Sequence, residues 1–198
     1  MSRIAGSAAA AAAAFSFLPV VAALAADEVP RKAEACVVCH GIGGNATDPA
    51  MPSLAGQPAQ FLSIQLYLFR EGTRKDAQMS PMAASLSNAD MNELAAYFAK
   101  QRPTASSHKT TSENMSAGRR LAEQYHCVQC HGPGLLGQQH IPRLAGQQPR
   151  YLRSQLRAFK ARTRGEFDGN MTTAALPLSA DDIEILADYL AGLPPRRD

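Results

Sequence analysis

The sequence predicts an all-α fold, and three observations carry that prediction. Apolar residues recur at three- to four-residue spacing in several stretches that are opened by proline or cap signals. No stretch sustains the period-two alternation of a half-buried strand. The same helical unit is also written twice, with a period of about 90 residues, which makes tandem domains rather than a solenoid. Composition sets the outer bounds. A net charge of +3 over 198 residues does not suit a polybasic nucleic-acid binder. A charged fraction of 19% suits a packed chain, and four cysteines are too few for a disulfide scaffold.

Residues 1–25 read as a secretory signal peptide. Arg3 is the one charge before Asp27, an apolar stretch runs from Ala8 to Leu18, and Ala23-Leu24-Ala25 supplies a small-x-small cleavage pattern. Cleavage is expected after Ala25. The alternative is a retained anchor, since Ile4 to Ala26 carries no charge. Alanine-dominated hydrophobicity, Pro19 and the lack of a basic flank argue against it. The mature chain is therefore expected to be exported, to a bacterial periplasm.

The first unit spans 26–103, a Thr/Ser-rich linker 104–114, and the second unit 115–198. Cys36-Val37-Val38-Cys39-His40-Gly41 returns as Cys127-Val128-Gln129-Cys130-His131-Gly132. Pro52-Ser53-Leu54-Ala55-Gly56-Gln57 returns as Pro142-Arg143-Leu144-Ala145-Gly146-Gln147. A helix precedes each cysteine pair, clearest at Ser116–Tyr125. Behind Pro58, residues Phe61, Ile64, Gln65, Leu68 and Phe69 form a helical stripe that Gly72 can end; Pro149 opens the second copy. The last helix of each unit carries a cap signal, Ser87 with Asp90 and Ser179 with Asp182. Leu94, Tyr97 and Phe98 then share a face, as do Leu186, Tyr189 and Leu190, and the two tyrosines are expected to pack the last helix on the first. Gly41–Met51 and Gly132–Ile141 are glycine-rich and have little to pack around, so each small unit needs something else at its centre.

The cysteine pairs identify that filler. C-x-x-C-H is the attachment pattern for haem c: two thiols about one helical turn apart add to two vinyl groups, and the following histidine reaches the iron. Cys36, Cys39, Cys127 and Cys130 are thus the expected covalent sites of two haem c groups, with His40 and His131 as axial ligands. A zinc ribbon needs its pairs about 15–20 residues apart, and no βαβ setting supports a thioredoxin-like pair. Structural disulfides remain open but leave both histidines unexplained. An iron that only exchanges electrons takes a second ligand, Met or His. Asp76–Tyr97 aligns with Asp168–Tyr189 without a gap, pairing Met79 with Met171 but Met82 with Ala174. Met79 and Met171 are therefore the expected ligands. Met82 is expected to pack or border the haem, Met51, Met91 and Met115 to be ordinary core or surface, and His108, His126 and His140 to lie on surface or loops.

Across the whole mature chain these motifs resemble the dihaem cytochromes c of the cytochrome c4 family. The resemblance implies two tandem class I cytochrome c domains, each with a His/Met-ligated haem, facing each other across a pseudo-twofold axis. It implies an electron-transfer protein rather than an enzyme, carrying electrons from a quinol-oxidising complex toward a terminal oxidase. A monomer with redox-protein partners, no nucleic acid and at most peripheral association with membrane complexes is expected. In the second unit Glu166-Phe167 lengthens the loop before Met171, and Arg162 replaces Gly72. By the same resemblance, the carbonyls of Pro52 and Pro142 are the expected acceptors for the histidines, because metal-bound imidazoles donate their other N–H to a fixed group. Arg74 and Arg164 are either propionate partners or part of a solvated face.

Charge is uneven: residues 26–103 hold seven Lys/Arg against eight Asp/Glu, residues 115–198 eleven against eight, and Arg150 to Arg164 alone holds six basic residues. This asymmetry either orients docking or is an ordinary solvated surface. Three other functions stay open on the sequence: a subunit dedicated to one dehydrogenase or oxidase, a dihaem peroxidase, and a zinc or disulfide binding module.

Overall fold

The computed structural model describes residues 30–195, so the expected leader lies outside the described residues. Among the described residues there are nine α-helices and no strand; the one β-type contact is an isolated bridge between Gln138 and Ile141. The first unit contributes α1 (Glu34–His40), α2 (Ala59–Arg70), α3 (Met79–Ala83) and α4 (Asn88–Lys100). The second contributes α5 (Ser112–Gln124), α6 (Cys127–His131), α7 (Pro149–Lys160), α8 (Asn170–Ala175) and α9 (Ala180–Gly192). Helices α1–α4 correspond in order to α6–α9.

Local chemistry explains most boundaries. Both capping boxes form: Ser87 Oγ accepts the Asp90 N–H at 3.1 Å and Asp90 accepts the Ser87 N–H at 2.9 Å, with 3.0 and 2.8 Å at Ser179 and Asp182. Helix α5 starts at Ser112, earlier than the apolar spacing suggests, because the Thr111 hydroxyl accepts the Asn114 N–H at 3.1 Å and caps it. Gly72 leaves α2 at φ 72°, and Arg162 takes the same left-handed conformation after α7, at φ 56°. The second helix therefore ends as the first does, at the expense of strain in a residue with a Cβ.

Helix α2 packs on α4, α7 on α9, and α5 on α9. Leu62, Leu94 and Phe98 centre the first core, and Leu152, Phe159, Ile183 and Leu186 the second. The inward stripe of α2 includes Leu62, whereas Phe61 and Ile64 are only half-buried. Tyr189 seats α9 on α5 so closely that a Cβ on Gly118 would overlap the tyrosine Cβ. The glycine-rich loops fold back on themselves in the same way in both units. Gly44 O accepts the Leu54 and Ala55 N–H groups at 2.7 and 3.0 Å, and Leu135 O accepts those of Leu144 and Ala145 at 2.8 and 3.1 Å.

The connection between units is strapped down. Thr104 N–H reaches Asn45 Oδ1 at 2.8 Å, the Ser106 hydroxyl reaches the Ala191 carbonyl at 3.1 Å, and the Thr110 hydroxyl reaches the Asp188 carbonyl at 2.7 Å. His108 is no free loop residue; its Nε2 pairs with Asp188. His126 and His140 are exposed, as expected.

The two units grip each other reciprocally. Gln147 Oε1 accepts the Ser53 N–H at 2.7 Å while its Nε2 donates to Ser53 O at 2.9 Å. Gln57 does the same to Arg143, at 2.9 and 3.0 Å. Each glutamine thus bonds the backbone of the residue after the proline in the opposite unit, the reciprocity expected of units related by a pseudo-twofold axis.

Candidate functional site

Each cysteine–histidine motif lies on one short helix. In α1 and α6 the first cysteine, Cys36 or Cys127, is half-buried against its core, while Cys39 and Cys130 are exposed. None of the four is joined to another in a disulfide. Burial pushes the Cys36 and Cys127 thiols above their ordinary value.

The histidines are buried, 6% exposed at His40 and 4% at His131. Each ring is anchored through one nitrogen: His40 Nδ1 lies 2.8 Å from Pro52 O and His131 Nδ1 lies 2.8 Å from Pro142 O. A carbonyl can only accept, so Nδ1 carries the proton and Nε2 keeps a free lone pair. Burial lowers both imidazole pKa values, outweighing the opposing effect of the carbonyl bond, so the neutral, metal-binding form is favoured. The proline carbonyls are therefore the acceptors the resemblance implied, and the residues beside them, Ser53 and Arg143, are the ones the cross-unit glutamines hold.

The methionines stand on other elements. Met79 opens α3, which packs on α2, and Met171 is the second residue of α8, which packs on α7. Both are half-buried, whereas Met82 is 47% exposed. Met91 is buried and Met115 packs at the edge of the second core.

Arg74 and Arg164 are not on a solvated face. They meet between the units: Arg74 donates to Gln65, Tyr151 and Gln155, the last at 2.9 Å, and Arg164 donates to Gln155 at 2.7 Å and Gln65 at 3.2 Å. Each guanidinium also lies over a phenylalanine of its own unit, Phe69 or Phe159. Burial alone would raise the Tyr151 phenol, but the two guanidiniums outweigh it and hold the pKa below 10. Arg143 is 2% exposed, and desolvation lowers it to about 10. Its Nη groups reach the Ala145 and Ala55 carbonyls.

None of Arg74, Arg143 and Arg164 pairs with a carboxylate among the described residues, and Arg143 Nε and Arg164 Nε are buried without a hydrogen-bond partner. Buried cations need an anion. A haem supplies two carboxylates, so these residues, the four cysteines that form no disulfide and the fixed imidazoles together fit that group. Neither Arg143 nor the glutamine clamp follows from the sequence pattern alone. The recurrence of Gln57 as Gln147 was a usable signal, but Arg143 had none, since the first unit has Ser53 there. The basic stretch of α7 is partly neutralised, because Arg153 and Arg157 both pair with Glu184 of α9.

Two helical units, each with a C-x-x-C-H helix, a buried carbonyl-anchored imidazole and an unneutralised guanidinium, define a c-type cytochrome with two covalently held haems. Residues 30–101 and 115–194 each match the family model for cytochrome c, and the chain belongs to that family. The chain is 37% identical to a "Thiosulfate dehydrogenase electron acceptor" of Thiomonas intermedia (strain K12) over 83% of this chain and 81% of that one. It is 34% identical to a cytochrome c4 of Pseudomonas aeruginosa over 82% and 85% of the two chains. It superposes on the reduced recombinant cytochrome c4 of Pseudomonas stutzeri with a TM-score of 0.76 and 31% identity, over 82% of this chain and 95% of that one. It is thus of the dihaem cytochrome c4 kind, an electron-transfer protein and not an enzyme, with two covalently bound haem c groups.

Proposed function

We propose that the protein is exported to the periplasm and carries electrons from a quinol-oxidising complex toward a terminal oxidase. Bound haem supplies a one-electron iron couple whose potential depends on its axial ligands. The chain's own residues do the rest. Cys36 and Cys39 in the first domain, and Cys127 and Cys130 in the second, attach the group. His40 and His131 would offer Nε2 to the iron, and Met79 and Met171 would supply its second ligand. Paired His/Met ligation leaves no open position for substrate, which suits transfer without chemistry and argues against a peroxidase.

The observation that carries this reading is the duplicated lock between a buried imidazole and a proline carbonyl, 2.8 Å in both domains. Such a lock fixes the tautomer and orientation of a metal-bound histidine. Two identical ones in one chain support a fixed histidine ligand in each domain. Among the described residues no helix is long and apolar enough to cross a membrane.

A second reading, the dedicated acceptor of a thiosulfate-oxidising dehydrogenase, is favoured by the Thiomonas relative of that name. Intact mass and absorption spectra of the matured protein test the centres. The expected result is a chain starting at Ala26 with two added haems, and loss of half the sulfur-to-iron charge-transfer band in each of Met79→Ala and Met171→Ala. Rapid mixing of the oxidised protein with quinol-oxidising membranes, and separately with a thiosulfate dehydrogenase, decides between the donors. Fast reduction by the dehydrogenase alone would favour the second reading.

A further inference from the structure

The loop that leads into Met171 is built differently from the one that leads into Met79. In the first domain the start of α3 is capped locally: Asp76 Oδ1 accepts the N–H groups of Gln78 and Met79, each at 2.9 Å. Asp168 holds the matching place in the second domain but bonds only Asn170, through its N–H at 3.2 Å and its Nδ2 at 2.7 Å. Glu166, in the part of the loop that the first domain lacks, takes over instead. Its Oε2 accepts the Met171 N–H at 3.1 Å and its Oε1 accepts the Thr172 N–H at 2.7 Å.

The residues around Glu166 are fastened to the opposite domain. Gly165 lies so close to Thr73 that a Cβ there would overlap the Thr73 carbonyl. The Phe167 ring stacks on Tyr67 of α2, with centroids 6.1 Å apart and planes 13° apart. Arg164 donates to Gln65, also on α2, at 3.2 Å. Phe167 stays 67% exposed, so core burial does not account for an aromatic at this position.

We propose that Glu166 is a positioning residue for Met171 and that its own place is set by the contacts of Gly165 and Phe167 with the first domain. The inference rests on the proposed ligation of iron by Met171. Helix α8 has six residues, too few to hold itself together, so its start and rotation depend on what its first N–H groups bond. A glutamate on a free loop would lose rotamer freedom in making two such bonds. With the residues on both sides seated on the first domain, part of that loss is already met. The methionine side of the second centre is thus seated through the interdomain contact, while that of the first is seated by Asp76 in its own loop.

The test uses ferric holoprotein and two readouts. One is the sulfur-to-iron charge-transfer band, followed as pH is raised until methionine detaches. The other is amide hydrogen exchange at Met171, Thr172 and Met79. In Glu166→Ala the half of the band belonging to the second domain detaches with an equilibrium constant raised roughly ten- to a hundredfold, the other half being unchanged. Exchange quickens at Met171 and Thr172 but not at Met79. Glu166→Gln, which keeps one acceptor oxygen, falls between, and Phe167→Ala shifts the same half more weakly. Wild-type behaviour of Phe167→Ala overturns the interdomain part. A halved band in Met171→Ala together with wild-type behaviour of Glu166→Ala overturns the positioning role alone. A whole band in Met171→Ala overturns the ligation, and this inference with it.

Discussion

Gln147→Ala removes one of the two clamps that join the domains. The side chain is 3% exposed and faces Ser53, itself 5% exposed. Truncation strips the partner from the Ser53 N–H, bonded at 2.7 Å, the Ser53 carbonyl at 2.9 Å and the Gln148 N–H at 2.9 Å. A buried polar group left unbonded costs about 1–3 kcal/mol. Three such groups at an interface that can open to admit water should cost about 3 kcal/mol in total, near the lower bound of the sum. Gln57→Ala should cost slightly less, because Gln57 holds two groups rather than three, the Arg143 N–H and carbonyl. The double variant should cost less than the sum, since faces already separated by one loss no longer desolvate the groups of the other. Guanidinium unfolding of the holoprotein, followed at once by far-UV circular dichroism and haem absorbance, measures all three. The two signals should part company in the variants, because domains that separate first no longer unfold as one unit. A shift under about 0.5 kcal/mol in both single variants, or full additivity in the double, would refute the clamp.

Other substitutions probe the helix ends and the packing of α5 on α9. Arg162→Gly should stabilise the second domain by about 1 kcal/mol, read as a raised unfolding midpoint, because a left-handed residue at φ 56° no longer carries a Cβ. Gly118→Ala, which in an open helix would gain about 1 kcal/mol, should instead destabilise by about 1–3 kcal/mol through collision with Tyr189; a raised thermal midpoint would show that α5 and α9 are not in such close contact. Asp90 is held below its ordinary 3.8 by the hydrogen bond from Lys32 and then by Ser87, and Asp182 below 3.8 by the Ser179 N–H and hydroxyl. Carboxylates depressed in the folded state contribute above 3.8 and lose that contribution as pH falls through their folded values. Asp90→Asn and Asp182→Asn should therefore flatten the decline in thermal midpoint below about pH 4.

The features legible in the sequence are those set within a few residues of chain. C-x-x-C-H is read from its spacing because the chemistry of attachment is local, and Ser87 with Asp90 shows a helix start because both partners lie within one turn. Repetition extended that reach. It separated Met79 and Met171 from Met82, and it paired Pro52 with Pro142, whose role as acceptors the family resemblance implied. Repetition had nothing to say where the copies differ. Arg143 has Ser53 opposite it, and the Glu166-Phe167 insertion has no counterpart, yet both lie at the contact between domains. Along the chain the linker shows only its Thr/Ser composition, because its partners, Ala191 and Asp188, are more than 70 residues away.

The long helices α2, α4, α7 and α9, the duplication and the haem-attachment motifs are legible along the chain, since each depends on periodicity, on a cap or on covalent spacing. How the two centres are joined is settled where the folded domains meet. Arg74 and Arg164, which could equally have faced solvent, meet across the interface around Tyr151. The reason is that solvation and pairing of a guanidinium have nearly equal free energies along an isolated chain. Burial separates them, and burial is a property of two folded surfaces brought together rather than of any stretch of residues.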